Sequence, residues 1–459
     1  MNTNLQNIIN EIIDLVNKKE LKKAKFIVQE NINKNPSIDV FYNISGVINL
    51  HLKLYLDAIA NFKKALELNK DFFSAQKNLA LAYSENDMIN EAISSYKKAI
   101  NLKLEAFELY NDLALLYKKQ KNYKNSIKYF LKAIKINPNY DKSYFNLGLV
   151  YINCEDLNNA ENFLNKSLEI NNNFNESYFY LAEVKRKKQK YSEAIKLYKK
   201  SNHEKSSYKI LQSYVEEENN KKYQEELNNI SKIDEDDRRI ASIAAFASNE
   251  LNLKNTYPFC PNPLDYIYKS SINKYVNNIN IFIKDLLNET SNQKFAWEPT
   301  GRTAVKGFVT NNLSENKIDS LKKLEKIIFL ELQKYFNLFK NKKVNFIKNK
   351  PSNFKFVSWS NRLKKEGYNI PHIHPSGWVS GVVYLKIPQN ITNDEAGIQF
   401  HLHGDDFKSK KNKQKIKKIT PKIGDVVMFP SSVFHSTIPF SSNEERICIA
   451  FDLCDLNAV

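Results

Sequence analysis

Glycine is scarce in this chain, ten residues in 459, and so are histidine (seven), cysteine (four), tryptophan (three) and methionine (three). No run of about 18 apolar residues occurs, so no membrane-spanning helix is expected. The opening stretch MNTNLQNIINEIIDLV has no basic segment and carries Glu11 and Asp14 inside its apolar pattern, unlike a signal peptide. Cys154, Cys260, Cys448 and Cys454 form no CxxC pair and are too few to staple so long a chain. They are expected to be reduced thiols of a cytoplasmic protein. What is present suffices for real cores: 42% hydrophobic and 12% aromatic residues argue against a disordered chain. The length suggests about three folded units.

The formal net charge of +18 invites a polyanion partner. The basic residues are dispersed over both ends of the chain, however, and residues 201–250 are net acidic. A bias towards Lys and Asn explains that spread equally well, and no nucleic-acid reading motif accompanies the charge, so no such partner is expected. The scarce residues are the uneven ones. Five of the seven histidines (372, 374, 401, 403 and 435) and eight of the ten glycines lie beyond residue 300.

The first half has an internal period. Ala24, Ala58, Ala92, Ser126, Ala160 and Ala194 follow one another at intervals of 34 residues, each in a phrase such as YLDAIANF or YSEAIKLY. Upstream of them stand Leu15, Asn49, Tyr83, Tyr117, Tyr151 and Lys185, again in register. Four residues after the small one, Phe62, Tyr96, Phe130 and Tyr198 supply an aromatic. The pattern describes a helical hairpin whose small residue admits the partner helix and whose aromatic fills the space beside it. Such hairpins must stack to bury their apolar stripes. This resembles the tetratricopeptide repeat, six copies of it, and the expected first domain is a repeat solenoid over residues 1–205.

The first helices of such a stack line its concave side. Asn78, Asp112 and Asn146 recur there at one repeat position and are candidates for a polar ladder that binds a protein or peptide, although small polar residues also simply suit that position. Residues 206–255 lose the period but remain helical in pattern and are read as a cap and linker. The segment YPFCPNPLDY (257–266) is read as the boundary to a second domain, 256–459.

Beyond it, helical stretches are expected near 264–290 and 314–338. Short strands follow: FKFVSWSNRL, WVSGVVYLKIP, GIQFHLHG, GDVVMFPS and RICIAFDL, punctuated by Gly, Pro, Asn and Asp, which indicates a β-sandwich or barrel. In PHIHPSGW, prolines flank an extended segment that places His372 and His374 on one side. His435 ends an apolar strand. With SSN as a hairpin tip, Arg446 is expected opposite His435 on the next strand. Two spaced imidazoles, a distal His and a nearby Arg suit a mononuclear iron site. Protein ligands on one face leave positions open, and a guanidinium can hold a carboxylate.

The phrases HIHPSGWVSGVVYLKIP, GDVVMFPSSVFHSTIPF and ERICIAFDL resemble the 2-oxoglutarate/Fe(II) oxygenases that carry N-terminal tetratricopeptide repeats, and the likeness covers most of residues 235–459. It implies a double-stranded β-helix (jelly-roll) fold with flanking helices. It also implies Fe(II), 2-oxoglutarate and O₂ as cofactor and co-substrates, and a hydroxylase releasing succinate and CO₂. By position, His372 and His435 are the implied iron ligands and Arg446 the 2-oxoglutarate ligand. The wider superfamily has a carboxylate where this chain has His374. A third imidazole, an external anion or water, or the distant Asp394 are the alternatives for completing the set. Trp378 and Tyr384 flank the site, with Tyr384 a candidate for the co-substrate and Trp378 for the substrate pocket. His401 and His403 are candidates for a rival metal pair, the substrate pocket or a solvent face. The lysine-rich loop 408–418 is a solvated insertion or a rim for an anionic partner. Two rival readings stand beside the oxygenase: a non-catalytic repeat scaffold with a degenerate barrel, and a cupin-like metalloenzyme that uses no 2-oxoglutarate.

Overall fold

The computed structural model describes residues 3–299, 301–316, 318–392, 394–404, 407, 409 and 415–457. Contacts divide the chain into two compact units, Met1–His203 and Glu204–Val459. The break falls just before the segment read as a cap, so the helices after residue 203 group with the sheets.

The first unit is a run of helical hairpins: α1 (Thr3–Asn17) with α2 (Leu21–Lys34), α3 (Asp39–His51) with α4 (Tyr55–Leu68), α5 (Phe73–Glu85) with α6 (Ile89–Leu102), α7 (Phe107–Lys119) with α8 (Tyr123–Ile136), α9 (Asp141–Asn153) with α10 (Leu157–Ile170), and α11 (Asn175–Lys187) with α12 (Tyr191–Ser201). The six periodic small residues, Ala24 to Ala194, are all fully buried, because each marks the closest approach of the two helices. Phe62, Tyr96, Phe130 and Tyr198 are buried beside them, as the period requires. Asn78, Asp112 and Asn146 lie half-buried on α5, α7 and α9. Asn78 Nδ2 donates to Asn43 Oδ1 at 3.1 Å. Burial pushes the Asp112 carboxyl upward, against the pull of Lys77 and a hydrogen bond from Tyr96.

A second 34-residue ruler runs through the turns. Lys19, Lys53, Asp87, Lys121, Glu155 and Gln189 all have φ between 58° and 61°, the left-handed region that costs a residue with a Cβ roughly 1 kcal/mol. Lys121→Gly is therefore expected to stabilise the solenoid by up to about 1 kcal/mol, read as a rise in thermal midpoint. Glu218 adopts the same conformation, with φ 59°, between α13 (Ser206–Glu216) and α14 (Asn220–Ser231). Its backbone bonds, Glu218 N to Val215 O and Asn219 N to Tyr214 O, repeat those of Lys121 to Lys118 and Asn122 to Tyr117. A seventh hairpin with the repeat's turn thus stands where the sequence loses its period, because α12 and α13, 11 residues each, are shorter than the 14- and 13-residue helices at the same places in the preceding repeat. Helix α15 (Arg238–Leu251) follows, capped by Asp237, which accepts from the Arg239 and Ile240 amides.

The proline-rich segment 257–266 is packed rather than exposed: Tyr257, Phe259 and Cys260 are buried, and Tyr257 Oη bridges Asp237 N and Asp234 O. The helix expected over 264–290 is confined to α16 (Ile279–Ser291), which Asn278 caps. Before it the chain forms β1 (Tyr268–Ser271), because a sheet edge offers its backbone the bonds a helix would otherwise supply. The elements that follow are β2 (Phe295–Trp297), β3 (Ala304–Thr310), α17 (Asp319–Phe339), the short α18 (Asn345–Lys348), β4 (Phe354–Asn369), β5 (Val379–Lys386), β6 (Ile398–His401), β7 (Ile416–Ile419), β8 (Asp425–Pro430), β9 (Phe434–Thr437) and β10 (Arg446–Asp455).

One sheet has the order β1-β8-β5-β10-β4-β3-β2 and the other β7-β6-β9. His372 adds an antiparallel bridge to His435 on the outer side of β9. Along the chain, β4 lies in the large sheet, the 372 segment in the small one, β5 in the large, β6 and β7 in the small, β8 in the large, β9 in the small and β10 in the large. This winding between two facing sheets is a double-stranded β-helix. It corrects one expectation. His435 and Arg446 are not hairpin partners: Phe400 opposes His435, and Leu363 opposes Arg446. The segment between them crosses from one sheet to the other, which a tight turn at SSN would forbid.

Candidate metal centre

His372, His374 and His435 converge across the gap between the sheets. One nitrogen of each lies within 4.8 Å of the others. Ring centroids are 4.2 Å apart for His372–His435 and 5.0 Å for each of the other two pairs. The backbone sets this up. His372 and His435 exchange both amide bonds at 3.1 Å, and His374 N donates to Ser431 O at 3.0 Å.

The hydrogen bonds also choose the tautomer. His372 Nδ1 faces Ile370 O at 2.7 Å, His435 Nδ1 faces Val433 O at 3.3 Å, and His374 Nδ1 faces Asp452 Oδ1 at 2.7 Å. Carbonyl and carboxylate oxygens only accept, so each Nδ1 carries the proton and each Nε2 keeps its lone pair. Burial pushes the His372 imidazole down to about 3, helped by His374, and holds that of His435 well below its ordinary value. Both are neutral near pH 7. The donor set is thus three converging imidazole nitrogens that a metal ion could use.

These imidazoles, with His401, have a consequence for the metal-free protein. Burial pushes His401 down to about 4. An unfolded imidazole takes its proton near pH 6.5, while these folded ones refuse it until far lower pH. The stability they contribute is whole above pH 6.5 and falls as pH drops, by roughly 1.4 kcal/mol per pH unit for each buried group. Between pH 7.5 and 5.5 the thermal midpoint of chelated protein is expected to fall, and His401→Gln with His435→Gln to flatten the slope.

The imidazoles open on a cavity of about 370 Å³ that β10 lines with its alternate residues Arg446, Cys448, Ala450 and Asp452. Arg446 is 2% exposed. Its Nε donates to Ala396 O at 2.8 Å and its Nη1 to Cys448 Sγ at 3.4 Å, which uses two of five N–H donors. The Tyr384 ring lies under the guanidinium at 5.0 Å, and Tyr384 Oη has no hydrogen-bond partner among the described residues. No carboxylate pairs with Arg446 among the described residues. A buried cation left without an anion is costly, and a carboxylate is a group that could offset that cost here.

Other candidates lie elsewhere. Trp378 faces an aromatic core with Phe259 and Phe346 and donates to Phe346 O, so it does not line the cavity. Neither His401 nor His403 lines it. On β6 Phe400 takes the side of His435, so His401, one residue on, points away and meets Ser436 Oγ at 3.3 Å. The His401 and His403 rings are 4.5 Å apart but join no third ligand among the described residues. Asp394 is ion-paired to Lys418 at 2.8 Å, far from a ligand's role. Most of the lysine-rich loop, residues 408 and 410–414, lies outside the described residues. Two participants escaped the sequence reading. Asp452 was detectable as the acid inside the apolar run RICIAFDL, an even number of residues from Arg446. Trp359, stacked on His374 at 5.4 Å, carries no such signal.

Residues 357–452 match the family described as "Putative 2OG-Fe(II) oxygenase". Tetratricopeptide-repeat models match residues 75–105, 107–140 and 129–162. The chain thus carries tetratricopeptide repeats in its first half and, over residues 357–452, a region similar to that oxygenase family. That family implies Fe(II) and 2-oxoglutarate, and the three imidazoles suit the former, while Arg446, unpaired with a carboxylate among the described residues, suits the latter. Several solved structures resemble part of the chain. They include MamA (26% identity, 34% of this chain and 91% of that one, TM-score 0.33). YrrB, described as a TPR protein with an unusual peptide-binding site, is 20% identical over 38% of this chain and 90% of its own, TM-score 0.34. The C-terminal part of a TPR repeat-containing protein from Cytophaga hutchinsonii is 16% identical over 51% and 98%, TM-score 0.46. No curated protein matches the chain. No helix among the described residues is long and apolar enough to cross a membrane.

Proposed function

We propose that the oxygenase domain is an active 2-oxoglutarate-dependent hydroxylase, with His372, His374 and His435 as the iron ligands and Arg446 as the anchor of the co-substrate's distal carboxylate. The observation that carries this is the buried Arg446 guanidinium, unpaired among the described residues, in the same cavity as three converging imidazoles. When bound, Fe(II) supplies the redox chemistry that couples oxidative decarboxylation of 2-oxoglutarate to hydroxylation of a C–H bond. The chain's own residues do the rest. His372, His374 and His435 would hold the metal through their imidazole nitrogens, and three protein ligands would leave room for a co-substrate. Arg446 fixes the carboxylate in fork geometry with Tyr384 beneath it. Phe429, whose ring is 4.6 Å from His435, and Phe400 keep water from that ligand.

The repeats recruit the substrate, a protein or peptide docked along Asn78, Asp112 and Asn146. A cupin-like enzyme that ignores 2-oxoglutarate gives Arg446 no role, and a degenerate scaffold gives the three matched tautomers none. Aerobic incubation of the Fe(II) protein with 2-oxoglutarate tests the reading. Succinate should form in step with O₂ consumption, faster when a bound peptide is present. Absence of succinate with metal bound contradicts it.

A further inference from the structure

Three imidazoles give a metal no negative charge, whereas a carboxylate ligand gives one. We infer that Asp452, which stands behind His374 rather than on the metal, supplies that charge through the imidazole and so makes His374 the strongest of the three donors. This rests on the iron site proposed above and concerns how it is held.

The three ligands are not equivalent. His372 and His435 are backed by peptide carbonyls, His374 by a carboxylate at 2.7 Å. Asp452 is 6% exposed and belongs to the same cavity-lining face of β10 as Arg446. Ser380 Oγ also donates to Asp452 Oδ1, at 2.6 Å, and lies 2.8 Å from Ser431 Oγ. The carbonyl of Ser431 in turn holds the His374 amide. Gly377 lets these groups close up: a Cβ there would sit 2.6 Å from Ser431 Oγ and 3.2 Å from Asp452 Oδ1. Trp359 covers the imidazole face. Four segments thus converge to hold one ring and one carboxylate oxygen, and no cation is paired with Asp452 among the described residues except by protonation of His374 itself. A carboxylate behind a metal-bound histidine fixes its orientation and raises its basicity, and loss of such a partner typically costs ten- to a hundredfold in metal affinity. Asp452 is a positioning residue in this sense.

Zn(II) is the probe, since it is diamagnetic and accepts imidazole ligands. Affinity is read by competition with a chromophoric chelator on the full chain. Asp452→Asn keeps an acceptor oxygen but removes the charge, and is expected to weaken Zn(II) roughly tenfold to a hundredfold. Asp452→Glu should recover most of that, and Ser380→Ala, which removes one hydrogen bond to Asp452 but leaves its charge, should cost clearly less than Asp452→Asn. Equal affinity in Asp452→Asn and wild type overturns the inference, as does an equal loss in Ser380→Ala. Should Asp452→Asn not fold, the wild type still answers by proton NMR of the Zn(II) form. The Nδ1–H resonance that vanishes in His374→Ala should lie farthest downfield of the three, and any other order overturns the inference. Failure of wild-type protein to bind Zn(II) any better than His374→Ala overturns the metal centre itself, and the two failures are therefore distinct.

Discussion

Arg446→Met should raise the KM for 2-oxoglutarate by roughly a hundred- to a thousandfold, the loss expected when one partner of a buried, charge-assisted bidentate contact is removed. Methionine retains much of the side chain's reach over Tyr384, so the change removes the charge and the donors with little loss of packing. The metal-free fold should tolerate it, because Arg446 has no carboxylate partner among the described residues to strand. Zn(II) affinity should be unaltered, since Arg446 opposes Leu363 on β4 and holds none of the three histidines. Arg446→Lys keeps the charge and loses the fork, so an intermediate KM is expected. Steady-state succinate release at varied 2-oxoglutarate checks both KM values, chelator competition the Zn(II) affinity, and circular dichroism the metal-free fold. An unaltered KM in Arg446→Met would leave the guanidinium without its assigned role.

His435→Ala should abolish turnover and weaken the metal by on the order of a hundredfold or more, as one of three ligand bonds is lost. The same residue bridges the His372 segment to β9 through its backbone, and alanine preserves both of those amide bonds. The folded metal-free protein should therefore survive. It should also lose less stability on acidification, because the imidazole that refuses a proton is gone. Chelator competition and circular dichroism at pH 7.5 and 5.5 separate the effects. Wild-type affinity in His435→Ala would exclude it as a ligand.

The repeats were legible because their constraint is local and recurs: a helix pair needs a small residue at one contact, and Ala24 to Ala194 announce it six times. The turn conformation at Lys19 to Gln189 was hidden, because residues with a Cβ occupy a place where glycine would have signalled it. The seventh hairpin was hidden for a different reason: the shorter α12 and α13 break the period before its turn at Glu218. In the sheets, the extended HIH segment was readable from its flanking prolines, but the one apolar strand expected to end in His435 is two, β8 ending at Pro430 in one sheet and β9 carrying His435 in the other. The meeting of that segment with His435, and the separation of His435 from Arg446 into two sheets, were not readable. Pairing partners in a wound sheet lie far apart in sequence, as Phe400 with His435 and Leu363 with Arg446 illustrate. Asp452 shows the intermediate case: its parity with Arg446 was on the page, and its contact with His374, 78 residues away, needed the fold.

The central claim is that one cavity holds a metal on three imidazoles and 2-oxoglutarate on Arg446 at once. Anaerobic titration of the Fe(II)-loaded protein with 2-oxoglutarate reads this directly, through the visible charge-transfer band that appears when the 2-oxo acid chelates the metal. The account predicts a saturable band in the wild type, its midpoint displaced to far higher 2-oxoglutarate in Arg446→Met and the band absent in His435→Ala. No band in the wild type with Fe(II) bound, or a band that His435→Ala leaves intact, contradicts it.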